Sequence, residues 1–230
     1  QLEQGADGQD PGRGSADDLP LPREAQGGAL KVYGLTGGIA TGKTTVEGFL
    51  RELRVPTLDA DQYARLVVEP GRPAYQEIVE VFGTGVLAAD GTLDRPALAR
   101  IVYRDAASRR RLEEITHPHI MGTVFQDVHR MGSRGAPLAV VSAALLVEAD
   151  FVSRFDGLVV VWCKPDEQLQ RIMARDGFDE TQARRRIEAQ MPLADKVARA
   201  DWVIDTNGSR EETADQVRAL VESWRSVSAP

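Results

Sequence analysis

The sequence predicts an α/β fold with a mainly parallel sheet of five strands interleaved with helices. Three observations predict it. Residues 137–142 and 157–163 are unbroken apolar runs, the pattern of strands covered on both faces. Stretches with apolar residues at helical spacing separate the strands. Residues 30–53 read as a short buried strand, a glycine-rich loop and an amphipathic helix, in that order.

Each element follows from local pattern. Residues 30–36 are the first strand, and Val46, Phe49, Leu50 and Leu53 give the first helix its apolar stripe. Residues 54–58 are the second strand, ending at Asp59-Ala60-Asp61, and a helix follows through Tyr63, Leu66 and Val67. After the Pro/Gly turn at 69–73, Tyr75, Ile78, Val79 and Phe82 mark another helix, and Ala89-Asp90-Gly91 a further turn. Three helical patches at 94–103, 105–116 and 118–131 complete a helix-rich stretch. Strands return at 137–142 and 157–163, and Pro165-Asp166 opens a helix containing Leu169, Ile172 and Met173. Asp179 with Gln182, and Ser209 with Glu212, form capping-box patterns before two more helices, and 202–204 is the fifth strand.

Bulk composition narrows the class. Net charge is −7, which argues against a nucleic-acid-binding surface, and no apolar run has bilayer length. Cys163 is the single cysteine and sits at the end of an apolar strand, so it reads as a small buried thiol in a cytosolic protein. Residues 1–29, rich in Gly, Pro, Asp and Gln, read as a disordered tail without the apolar core of a secretory signal.

The chemistry concentrates in the first loop. Gly37, Gly38, Ile39, Ala40, Thr41, Gly42, Lys43 and Thr44 fit G-x-x-x-x-G-K-[S/T], a phosphate-cradling loop. Its glycines let backbone N–H groups turn inward, Lys43 brings a cation to the β/γ-phosphates, and the Thr44 hydroxyl can ligate Mg²⁺. The helix that follows, from Thr45 on, aims its N-terminus at the same anion. Asp59 and Asp61 lie beyond the second strand, on the edge that faces the ligand crevice of such sheets; each reads equally as a functional carboxylate or a helix cap. Arg171 and Arg175 share a helix face and can meet charge on a transferred phosphoryl group, whereas the run 184–186 must leave at least one arginine in solvent. By itself His117 reads as a packed residue opening a helix with Pro118, and His119 and His129 as surface residues. Asn207-Gly208 reads as a turn, one that can also present backbone groups to a base. Asn207 is the only asparagine, so the N-K-x-D segment that reads guanine in switch GTPases is absent.

From residue 31 to 225 the chain resembles the bacterial-type dephospho-CoA kinases. The resemblance is carried by residues 34–46, by Asp59-Ala60-Asp61 with Glu69-Pro70-Gly71, by Asp90-Gly91-x-Leu93-Asp94-Arg95, and by Leu112-Glu113-x-Ile115-x-His117-Pro118. It continues through Leu145-Leu146-Val147-Glu148, Arg175-Asp176, Gln190-Met191-Pro192 and Ala200-Asp201-x-Val203-Ile204-Asp205-x-Asn207-Gly208. It implies a three-layer P-loop NTPase with a helical acceptor-binding insertion and a small helical lid: core 30–59, 134–170 and 200–230, insertion 60–133, lid 171–199. It implies transfer of the ATP γ-phosphoryl group, with Mg²⁺, to the ribose 3′-hydroxyl of dephospho-CoA in a cytoplasmic monomer or small homo-oligomer. In that likeness Asp61 acts on the hydroxyl and also touches the acceptor, Arg175 is the lid arginine, His117 lies on the acceptor side, and Asn207 and Gly208 lie on the adenine side. One departure is Ser142-Ala143-Ala144, where many members carry Asp-Ile-Pro; an acidic residue of the metal shell is missing from that strand end, and Asp61 or water is expected to compensate. A kinase for another small hydroxyl compound and a non-catalytic ATP-binding regulator stay open beside this reading.

Overall fold

A computed structural model describes residues 30–227. The expectation for residues 1–29 lies outside them. Five strands, β1 (Lys31–Gly37), β2 (Thr57–Asp59), β3 (Leu138–Ser142), β4 (Gly157–Trp162) and β5 (Trp202–Asp205), form one sheet in the order β2-β3-β1-β4-β5. Every pairing among them is parallel.

Alternation along the strands builds three layers. Tyr33 and Leu35, Leu138 and Val140, and Val159 and Val161 face one side. There they pack on Val46, Phe49 and Leu50 of α1 (Lys43–Glu52) and on Val217, Leu220, Val221 and Trp224 of α9 (Arg210–Val227). Val32, Ala139 and Val141, and Leu158 and Val160 face the other side, against Met121, Val124, Phe125 and Val128 of α5 (Ala106–Ser133). Both faces are apolar because both are covered, which is why β3 and β4 lack a polar alternation.

Between β2 and β3 run α2 (Ala60–Leu66), α3 (Pro73–Phe82), α4 (Arg95–Arg104) and α5. Val68, Ala74, Ile78, Val86, Leu98 and Ile115 make a separate apolar cluster there. Beyond β4 come α6 (Pro165–Asp176), α7 (Glu180–Glu188) and α8 (Leu193–Val197). Both capping boxes form: Asp179 with Gln182 before α7, and Ser209 with Glu212 before α9.

Local pattern misplaces several boundaries. The second strand is only three residues long, because Arg54 takes a left-handed φ of 59° in the turn that ends α1. The patches at 105–116 and 118–131 are one helix with Pro118 inside it, so His117-Pro118 opens nothing. Proline forfeits a single backbone bond there, while burial of Ile115, Met121 and Val124 on either side holds the helix continuous. The short α8 has no apolar periodicity to announce it; it is fixed by the buried Lys196.

Candidate active site

β1 delivers its last residue, Gly37, where a Cβ would stand 2.9 Å from Val161 O, so a side chain cannot be accommodated. The loop then turns and re-enters a helix at Gly42, whose φ of 94° belongs to glycine, and the N–H groups of Lys43 and Thr44 open α1 without an intrahelical acceptor. The interior of the loop is pinned from three directions. Thr41 is fully buried; its Oγ1 donates to Gly38 O at 2.9 Å and its carbonyl accepts from Thr206 Oγ1 at 2.7 Å. Gln168 Nε2 on α6 donates to Ile39 O at 2.8 Å, and Ile39 N donates to Gln190 Oε1 at 2.7 Å. Gln168 and Thr206 carry no motif that sequence reading could have singled out. Gln190 lies in a block of the family likeness, without an assigned role.

A cleft of about 790 Å³ opens over the loop, lined by residues 37–40 and 42–44 and by Ala144, Arg171, Arg175 and Gln190. Thr44 is exposed at its floor, while Thr45 lies one residue further into the first turn, its N–H bonded to Gly42 O at 2.9 Å. Lys43 Nζ donates to Glu47 Oε1 and to Ser142 Oγ, both at 2.9 Å, and stands 3.9 Å from Asp61 Oδ2. The two aspartates divide their roles. Asp59 caps α2, accepting from Asp61 N at 3.0 Å, and the Asp61 carboxylate faces Lys43. The Asp61 side chain is still 55% exposed, so only partial desolvation at the cleft wall raises its pKa, with Asp59 and Glu47 adding to this against the opposing pull of Lys43 and the Ala144 N–H. Tyr63 Oη donates to Asp127 Oδ2 on α5 at 2.5 Å and braces α2.

Across the cleft, Arg175 sits in the last turn of α6 and holds Asp176 through two bonds of 2.8 Å, which raises its own pKa. Arg171 donates to Thr206 O at 2.6 Å and thereby ties α6 to the β5 exit. Arg184 pairs with Glu180 on the surface, and Arg186 lies over the Phe178 ring. Asn207 and Gly208 follow Thr206; Asn207 Oδ1 accepts from Lys164 N at 2.8 Å, and neither residue lines the cleft.

A second cavity of about 880 Å³ lies among the helices, lined by Val68, Ile78, Leu98 and Leu145 together with Arg95, Arg109, Arg110, Glu113 and Glu148. Arg109 and Arg110 were not anticipated, since the run 109–111 resembles any solvated basic patch. His117 packs edge-on to Phe151 at 5.7 Å; burial lowers its pKa, with Glu113 opposing. His119 has a partner that sequence reading did not foresee, Glu77 Oε1 at 2.8 Å. The segment after β3 borders both spaces: Ala144 lines the first, Leu145 and Glu148 the second. Glu148 Oε1 accepts from the fully buried Lys196 Nζ at 2.7 Å and from Met191 N at 3.1 Å, so the chain after α7 is fastened to this segment. Cys163 is buried and its thiol pKa is pushed up by that burial, as expected for a packing residue.

Oxygen donors at the loop suit a hard divalent cation. Among the described residues no group of three acidic, histidine or cysteine side chains could hold a metal unaided. A magnesium ion here would therefore use the Thr44 hydroxyl and the oxygens of a bound phosphate chain, its usual manner of binding at nucleotide sites.

The family model for dephospho-CoA kinase matches residues 31–212. Proteins named dephospho-CoA kinase from Geobacillus kaustophilus and Carboxydothermus hydrogenoformans are 44% identical over 191 residues and 42% identical over 196; these alignments take in 83% and 85% of this chain and 95% of each relative. Among solved structures, TT1252 from Thermus thermophilus superposes with a TM-score of 0.74 at 32% identity, over 84% of this chain and 97% of the other. A dephospho-CoA kinase from Campylobacter jejuni shares the fold, with a TM-score of 0.64 at 22% identity over 84% of this chain and 96% of the other.

Proposed function

The chain belongs to the dephospho-CoA kinase family, and from that premise we propose that the cleft over residues 37–44 binds ATP while the second cavity receives dephospho-CoA. The reaction moves the γ-phosphoryl group to the ribose 3′-hydroxyl and releases coenzyme A and ADP. One observation carries the arrangement. Asp61 points at Lys43 from α2, and the same helix reaches the second cavity through Ala64. α2 thus carries a carboxylate at the phosphate cradle and a residue lining the space among the helices.

In this reading the loop N–H groups and Lys43 hold the phosphates, and Thr44 takes a place in the magnesium shell. A magnesium ion held there together with ATP would supply charge neutralisation along the phosphate chain. Asp61 orients the acceptor hydroxyl and receives its proton. Arg175 exchanges Asp176 for the phosphoryl oxygens as negative charge shifts during transfer. The adenine extends past the cleft lining toward Asn207 and Gly208, and His117 with the apolar and arginine lining of the second cavity supports the acceptor. Such transfer depends more on positioning and charge than on a strong base. No helix among the described residues is long and apolar enough to cross a membrane; a cytoplasmic setting and a monomeric or small homo-oligomeric state are part of the proposal.

A coupled ADP-release assay with and without dephospho-CoA, followed by mass analysis of the product, tests it. The expected result is acceptor-dependent ADP release and a product heavier by one phosphoryl group. Nucleotide binding without that dependence would leave a regulator, and turnover only with a different alcohol would reassign the acceptor.

A further inference from the structure

Glu47 is an unusual residue to find where it stands. It is charged, 3% exposed, and set on α1 one turn beyond Thr44, beside a loop that must accept a polyanion. A buried carboxylate is costly unless it is paired. Its partners are Lys43 Nζ at 2.9 Å and Ser142 Oγ at 2.5 Å on Oε1, and Arg51 Nη2 at 3.3 Å on Oε2. When phosphate oxygens draw on the Lys43 ammonium, Glu47 shares its main cationic partner with the ligand. A buried negative charge then lies near a phosphate chain of the same sign with Lys43 shared between them, and a further cation beside the phosphates makes that juxtaposition more favourable.

Ser142 ends β3 and presents a hydroxyl where a strand-borne acid would present charge. That hydroxyl is bonded to the Glu47 carboxylate, which therefore delivers an acidic group to the strand end from the neighbouring helix. Residues 44 and 47 are three apart on α1 and share its face. We propose that Glu47, held in place by Ser142, is the acidic positioning residue of the magnesium station, acting on the hydration shell of a cation whose direct protein ligand is Thr44. The proposal rests on the reading of this cleft as a site for magnesium and ATP, but not on the identity of the acceptor.

The test is equilibrium binding of ATP by titration calorimetry, with and without Mg²⁺ and with no acceptor present. For the unaltered protein the ratio of the two affinities defines the magnesium enhancement. Glu47→Gln keeps the shape and a carbonyl oxygen for Ser142 and Lys43, and should cut that enhancement by about tenfold or more, as loss of an outer-shell partner does, with little change in the magnesium-free affinity. Adding Ser142→Asp to Glu47→Gln should restore it, because the charge returns to the same place from the strand. An equal loss of ATP affinity with and without magnesium would overturn the proposal, since Glu47 would then act through Lys43 alone. An unchanged ratio would also overturn it. If a thermal melt shows Glu47→Gln unfolded, Ser142→Ala makes the same reading: a roughly threefold smaller enhancement supports the assignment and no change rejects it. Failure of acceptor-dependent turnover leaves these outcomes intact, whereas absence of any ATP binding would remove both readings together.

Discussion

Asp61 shows how a single side chain is tuned by its surroundings. Its pKa is raised by partial desolvation at the cleft wall, although the side chain is still 55% exposed, so its proton-accepting form is depleted at a higher pH than for an ordinary aspartate. Turnover should therefore fall as pH drops through that raised value, giving an acidic limb in a kcat–pH profile. Asp61→Asn should lower kcat by about a hundredfold and abolish the limb, while ATP affinity stays close to that of the parent. An intact limb in the variant would assign the titration elsewhere. Arg175 is tested differently, because it rests on Asp176 in this structure. Arg175→Ala should reduce kcat by about 10³-fold if its guanidinium neutralises charge during transfer; a loss below about threefold in steady-state assays would make the Asp176 pair its whole role.

Among the elements, the segment between α7 and β5 is the one whose placement matters most for the cleft. Lys196 on α8 is fully buried and satisfied by Glu148 Oε1 and by Ala144 O, each at 2.7 Å. Gln190, a few residues earlier, holds the loop through Ile39 N. Removing one partner of a buried ion pair strands the other. Lys196→Met should accordingly cost about 2–4 kcal/mol in denaturant unfolding, somewhat less than for a fully enclosed pair because Glu148 remains 22% exposed. The same variant should raise the KM for ATP, since the contact from Gln190 to the loop loses its anchor. A change in stability with KM unaltered would separate the two effects.

For the molecule as a whole, the helices between β2 and β3 keep an apolar cluster of their own, centred on Ile78, Val86, Leu98 and Ile115, apart from the two that flank the sheet. Ile78 is fully buried within it. Ile78→Ala should leave a cavity costing about 2–4 kcal/mol. In hydrogen-exchange mass spectrometry the loss should appear first as faster exchange across residues 67–115, with β1, β3 and β4 still protected. Uniform acceleration over the sheet would mean that the helices and the sheet open as one unit.

The alternation of five strands with helices, the phosphate loop and both capping boxes were legible in the sequence, because each is dictated by residues close together in the chain: glycine freedom, apolar periodicity and side chains that bond within one helical turn. The division of labour between Asp59 and Asp61 was not, since both occupy the same strand end and only the packing of α2 turns one into a cap and the other toward Lys43. Continuity of α5 through Pro118, the burial of Lys196, and the meeting of Glu47 with Ser142 were likewise decided by tertiary structure. Each depends on desolvation by residues remote in sequence. A charge or a proline is tolerated inside a protein only when distant neighbours satisfy or enclose it, and no local pattern encodes those neighbours.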